Sequence, residues 1–83
     1  MAEVIVYSTE ICPYCVRAKQ LLDSKQVAYQ EIRVDLQPEL RDEMIAKSGR
    51  RTVPQIFING KPIGGCDDLY ELNRSGQLDQ MLA

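Results

Sequence analysis

Apolar residues follow two rhythms along this chain. Val4-Ile5-Val6-Tyr7 is a β-branched run of strand length. Tyr29 to Val34 alternates, with Ile32 and Val34 facing one way and Tyr29, Glu31 and Arg33 the other, which predicts a second strand. Gln55-Ile56-Phe57-Ile58 and Lys61-Pro62-Ile63 are two further short strands, and the Asn59-Gly60 between them favours a type I′ hairpin turn. Pro62 has no N–H to give a ladder, so its strand belongs at a sheet edge. Elsewhere the period lengthens. Cys15, Ala18 and Leu22, with Leu21 beside them, face away from Arg17, Lys19, Gln20 and Asp23, predicting an amphipathic helix from Pro13 to Ser24. Leu36, Leu40, Met44 and Ile45 form the apolar stripe of a second helix that starts near Pro38, carries Glu39 in its first turn and stops at Gly49. Asp67-Asp68 opens a third helix carrying Leu69 and Leu72. Gly76 ends it, and Leu78, Met81 and Leu82 tuck a final turn onto the body.

The resulting order, β-α-β-α-β-β-α, predicts an α/β fold: a four-stranded mixed sheet with helices on both faces. Its first two strands form a right-handed parallel βαβ unit and its last two an antiparallel hairpin. The 83 residues fit one domain, 1–83, with a modest core, since a chain this small buries only roughly 60% of its unfolded surface. A net charge of −2, with charges interspersed, gives no reason to expect a nucleic acid partner. Met1-Ala2-Glu3 lacks the basic start and apolar core of a signal peptide, and no run is long enough for a membrane span, so the expected compartment is the cytoplasm. The chain has no His, which excludes Ser-His-Asp and Cys-His catalysis, and no Gly-Lys-Ser/Thr phosphate loop.

Cys12-Pro13-Tyr14-Cys15 carries the chemistry. Pro13 suits the first position of a helix, which makes Cys12 its N-cap. A sulfur there faces free N–H groups and the positive end of the helix dipole, and both favour thiolate over thiol. Cys15, on the apolar face one turn later, is expected to be more buried and less acidic than an exposed Cys12. Such unequal thiols suit exchange in which one sulfur attacks and the other resolves the mixed disulfide. Three plainer readings are weaker. A four-ligand zinc site needs more than the one further Cys and no His available, so no metal is expected. A static disulfide closing so short a loop gains little chain entropy. Inert core thiols do not belong at a helix N-cap. A C-x-x-C beside a βαβ pattern reads instead as a redox pair.

Three other stretches each admit two readings. Thr52-Val53-Pro54 is either an ordinary trans proline leading into a strand or a cis bond beside the thiols, presenting the Val53 backbone to a peptide-like substrate. Gly64-Gly65-Cys66-Asp67-Asp68 is a turn with helix-capping Asp, or additionally an anion site at a helix start. Cys66 is a semi-buried filler or a thiol open to glutathionylation. Arg41, Arg50 and Arg51 read as solvated charge, with Arg41 able to reach a ligand carboxylate.

Taken in order, Cys12-Pro13-Tyr14-Cys15, Thr52-Val53-Pro54 and Gly64-Gly65-Cys66-Asp67-Asp68 resemble the dithiol glutaredoxins over essentially the whole chain. The resemblance implies a thioredoxin fold and a thiol-disulfide oxidoreductase with glutathione as cosubstrate and no tightly bound cofactor. It implies Cys12 as nucleophile and Cys15 as resolving thiol. Tyr14, Thr52, Val53 and cis Pro54 would lie along the bound tripeptide, Gly65, Cys66, Asp67 and Asp68 would hold its γ-glutamyl end, and Arg41 would face its glycyl carboxylate. The implied partners are glutathionylated or disulfide-bonded client proteins, ribonucleotide reductase among them, met by a monomer. Two other activities fit the thiol pair: a glutathione-ligated iron–sulfur carrier, which the stiff Pro13 disfavours, and a thioredoxin-like electron donor to a reductase. Family members often carry Lys about three residues before the first Cys. Thr9 and Glu10 stand there in this chain, so a smaller lowering of the Cys12 pKa is expected.

Overall fold

The computed structural model describes residues 2–83. The elements run β1 (Val4–Ser8), α1 (Pro13–Ser24), β2 (Gln30–Arg33), α2 (Pro38–Ser48), β3 (Gln55–Ile58), β4 (Lys61–Gly64), α3 (Cys66–Ser75) and α4 (Gln77–Leu82). The sheet order is β2-β1-β3-β4. β1 pairs parallel with β2, antiparallel with β3, and β3 pairs antiparallel with β4. This is the predicted mixed sheet.

Alternation along the two central strands divides the core. Val4, Val6, Ile56 and Ile58 point to one face and pack with Ala18 and Leu22 of α1, Leu69 of α3 and Leu78 of α4. Tyr7 and Phe57 point to the other and pack with Val34 and with Met44 of α2. All four residues of β3 are buried, as expected of a strand covered on both faces. The Tyr7 and Phe57 rings meet edge to face, with centroids 5.5 Å apart.

The hairpin turn holds Asn59 at φ 53° and Gly60 at φ 80°, the positive pair that a type I′ turn requires. Asn59 also ties the turn to the start of β1: its N–H donates to the Glu3 carbonyl at 2.8 Å, and its Oδ1 accepts the Glu3 N–H at 2.9 Å. Both sheet edges are four residues long. β4 carries Pro62, and β2 carries Gln30, Glu31 and Arg33.

Several details differ from the sequence pattern. β2 is shorter than Tyr29–Val34; Tyr29 and Val34 flank it and pack on the two cores, and the Val34 N–H still donates to the Ser8 carbonyl at 3.0 Å. Leu36 lies before α2, not on its stripe, and is exposed, because Pro38 sets the first helical turn two residues later. The final turn is a separate six-residue helix, α4, started by Gly76 at φ 85°. α3 begins at Cys66, with Gly65 as N-cap, so the two Asp residues lie inside its first turn. Among the described residues, no helix is long and apolar enough to cross a membrane.

Candidate active site

β1 ends at Ser8, which is buried, and its hydroxyl donates to a Glu31 carboxylate that also accepts from Lys19 Nζ at 2.8 Å. These bonds lower the Glu31 carboxyl, Lys19 contributing most and Ser8 next, and they tie β1, β2 and α1 together where the chain leaves the sheet. The loop that follows is pinned at Glu10, whose N–H donates to Asp35 Oδ2 at 3.1 Å. Arg33 grips the same carboxylate through Nε at 2.8 Å and Nη2 at 2.7 Å, and this hydrogen bonding is the main reason the Asp35 carboxyl is drawn down to about 2. The same hydrogen bonding to Asp35 is the main cause that raises the Arg33 pKa, with the charge of Glu10 a smaller contribution.

Cys12 then caps α1 from extended backbone, φ −151° and ψ 95°, with Pro13 at the first helical position. Its Sγ accepts the Cys15 N–H at 3.1 Å, one of the donors a helix start leaves unpartnered. Cys12 and Cys15 are paired as a disulfide, with Cα atoms 5.1 Å apart. Cys12 departs from the expected exposed thiol: it is only 9% exposed, against 1% for Cys15. Its sulfur is closed on one side by Cys15 and lies 3.9 Å from the Val53 carbonyl oxygen on another. The order of exposure is as expected; the openness is not.

Val53–Pro54 is a cis peptide bond. The Thr52-Val53-Pro54 turn is held by Gln55, a buried amide whose Nε2 donates to the Thr52 carbonyl at 2.9 Å and to Thr52 Oγ1 at 3.2 Å. Beside it opens a cavity of about 190 Å³ lined by Tyr14, Arg50, Thr52, Val53, Pro54, Gly65, Cys66, Asp67 and Asp68. A larger depression, about 320 Å³, lies between Lys25–Ala28 and the C-terminal residues and contains no cysteine.

The far wall of the smaller cavity is the start of α3. Asp68 Oδ2 accepts the Gly65 N–H at 2.9 Å, half of a capping box whose other half glycine has no side chain to supply. Arg50 Nη1 donates to the same oxygen at 2.8 Å. The Gly65 N–H first, and Arg50 second, hold the Asp68 carboxyl below the usual carboxylate range. Gly64 adopts φ +116° directly beneath this carboxylate, a backbone region that side chains rarely enter. Cys66, the first residue of α3, is buried, and burial pushes its thiol up.

The structure thus gathers eight of the sequence-derived residues around one cavity, with the thiol pair at its Val53 side. Arg41 is not among the lining residues; its guanidinium donates to the Arg51 carbonyl at 3.2 Å. Arg50, which reads from the sequence as solvated charge, is the lining residue that the sequence did not assign to the site. The left-handed cap at Gly49 turns the chain so that Arg50 reaches α3, and only the neighbouring Gly49 hinted at this. Among the described residues, no group of three or more His, Cys, Asp or Glu side chains could hold a metal ion.

Comparison with known proteins bears on this arrangement. The glutaredoxin family profile matches residues 4–63. Glutaredoxin 3 of Escherichia coli strain K12 is 57% identical over 82 residues, covering 99% of each chain. The crystal structure of a buckwheat glutaredoxin–glutathione complex superposes with a TM-score of 0.91 at 39% identity, covering 98% of this chain and 76% of that one. The solution structure of a Brucella melitensis glutaredoxin gives a TM-score of 0.88 at 52% identity over 99% of this chain and 89% of the other. The thioredoxin fold, the helix-capping dithiol and these matches agree, and this chain belongs to the glutaredoxin family of glutathione-dependent thiol–disulfide oxidoreductases.

Proposed function

We propose that Cys12 is the nucleophile and Cys15 the resolving thiol, working beside a glutathione site formed by the Tyr14–Asp68 cavity. The observation that carries this reading is the cap itself: Cys12 Sγ accepts the Cys15 N–H at 3.1 Å at the start of α1, so a negative charge on that sulfur meets a hydrogen-bond donor and the helix dipole already in place.

In the monothiol route, Cys12 thiolate attacks the glutathione sulfur of a protein–glutathione mixed disulfide. That S–S bond breaks, the client leaves as thiolate, and a new Cys12–glutathione disulfide remains. A second glutathione thiolate then attacks, forming oxidised glutathione and restoring Cys12. In the dithiol route, Cys12 attacks a client disulfide and Cys15 thiolate attacks Cys12 Sγ. The client leaves with both thiols and the protein keeps both oxidising equivalents in a Cys12–Cys15 disulfide.

Glutathione lies along Thr52, Val53 and Pro54 with Tyr14 at its flank. Its γ-glutamyl carboxylate sits at the first-turn N–H groups of α3 near Gly65, Cys66 and Asp67, and its ammonium at Asp68. Arg41 serves the glycyl carboxylate from beyond the cavity, after releasing the Arg51 carbonyl. The chain acts as one domain and a monomer in the cytoplasm, on glutathionylated and disulfide-bonded proteins that include ribonucleotide reductase.

Mass spectrometry of each Cys→Ser variant after treatment with oxidised glutathione, paired with turnover assays, tests the roles. Cys15→Ser is expected to carry one glutathione on Cys12, to keep deglutathionylation and to lose dithiol reduction. Cys12→Ser is expected to lose both activities. Turnover by Cys12→Ser would refute the assignment.

A further inference from the structure

We propose that Ile11 is a specificity-determining contact for the dithiol route, favouring client disulfides whose cysteines are flanked by apolar residues. The proposal rests on the reading of Cys12 as the atom that bonds the client. Ile11 precedes Cys12 and is 88% exposed, the largest exposure among the exposed large hydrophobic side chains of the described residues. A single exposed aliphatic residue needs no explanation by itself. Two observations give this one a partner. Its loop is held on both sides, by the Glu10 N–H bond to Asp35 and by the Cys12 cap, so the Ile11 backbone is anchored next to the residue that bonds the client. Further exposed apolar side chains stand near in the chain: Tyr14 and Val16 lie within four positions of Cys12, and exposed Leu36 follows the Asp35 that anchors the loop.

The occupant follows from the geometry of the disulfide that the reaction must form. Bonded cysteines keep their Cα atoms about 4.4–6.8 Å apart. The Ile11 Cα is about 3.8 Å from that of Cys12. When Cys12 is bonded directly to a client cysteine, the residues flanking that cysteine come within reach of the Ile11 side chain. Ile11 is not among the residues lining the cavity assigned to glutathione. In the monothiol route Cys12 bonds glutathione instead and the client departs from the far sulfur, so the client's flanking residues stand one sulfur further from Ile11. The covalent steps are those of the dithiol route: the client disulfide is the oxidant, the Cys12–Cys15 dithiol the reductant, and both client sulfurs leave as thiols.

The test uses the reduced full chain in single-turnover reactions. Its substrates are two disulfide-bonded peptides that differ only in having Leu or Ser beside the cysteines, together with the mixed disulfide of glutathione and 2-mercaptoethanol. The wild type is expected to reduce the Leu peptide about tenfold faster than the Ser peptide, the scale of effect when part of an isoleucine side chain leaves water. Ile11→Ser is expected to bring that ratio within about twofold, with the glutathione substrate unchanged, and Ile11→Val to restore most of the preference. A wild-type ratio near one, a ratio that survives Ile11→Ser, or an equal slowing of all three substrates would overturn the proposal. Turnover of the glutathione substrate with no reduction of either peptide would instead remove the dithiol reading, and the proposal with it.

Discussion

At Asp68 one carboxylate oxygen serves two donors, and they are not equal. The Gly65 N–H is fixed by the backbone, whereas Arg50 reaches across on a half-exposed side chain. Arg50→Ala is therefore expected to cost at most about 1 kcal/mol, as surface ion pairs do. The Asp68 carboxyl should remain below the ordinary range because its larger support survives; an NMR titration of the carboxyl carbon reads this. The sign is fixed by the lowered pKa: the stabilisation is present above the unfolded value, near 3.9, and is lost as pH falls through the folded one. Gly64 is less forgiving. A Cβ there overlaps the Asp68 carboxylate, and φ +116° is strained for any side chain. Gly64→Ala should destabilise the chain by about 1–3 kcal/mol or more in urea unfolding and raise the Asp68 pKa as its bond to Gly65 opens.

α1 was legible to the residue, because Cys15, Ala18 and Leu22 mark its buried stripe and Pro13 its first turn. The Asn59-Gly60 hairpin was equally plain, since the turn type needs those residues. Pro38 and Gly49 locate α2 correctly, yet periodicity alone extends its stripe back to Leu36, past the point where the helix starts. Long-range geometry was not legible. Nothing local puts Arg50 on Asp68 or the Ser8 hydroxyl on Glu31. Sequence spacing indicated which residues were special, and tertiary packing decided which of them meet. α2 rests on the sheet chiefly through Met44, which is fully buried among Tyr7, Val34 and Phe57. Met44→Ala should lower stability by about 2–5 kcal/mol in urea unfolding while leaving the α1 face intact.

Across the whole molecule the two cores are joined by the sheet, and a polar link ties the second of them to α2. The Tyr7 hydroxyl donates to Glu43 Oε2 at 2.9 Å. Burial first, then this bond and the Glu43 charge, push the Tyr7 pKa up to about 12. A raised pKa on a group that is neutral when protonated gives stability that is complete below the unfolded value, about 10, and is lost as pH rises through the folded one. Tyr7→Phe is expected to lose about 0.5–1.5 kcal/mol at neutral pH. It should also lack the part of the alkaline decline that Tyr7 contributes between about pH 10 and 12. The difference in urea midpoint between the two proteins, followed from pH 8 to 12, should therefore narrow and then change sign; a constant difference would count against the ionisation.

The borders of the sheet bear on the company this protein keeps. One ends in a proline that offers no amide, and the other in short polar and charged positions. A redox catalyst must touch many foreign chains, some with strands exposed, and leave each of them. Borders that make poor templates for another strand keep such a chain from adding to the sheet, so that no ladder of backbone hydrogen bonds has to be broken before it can leave.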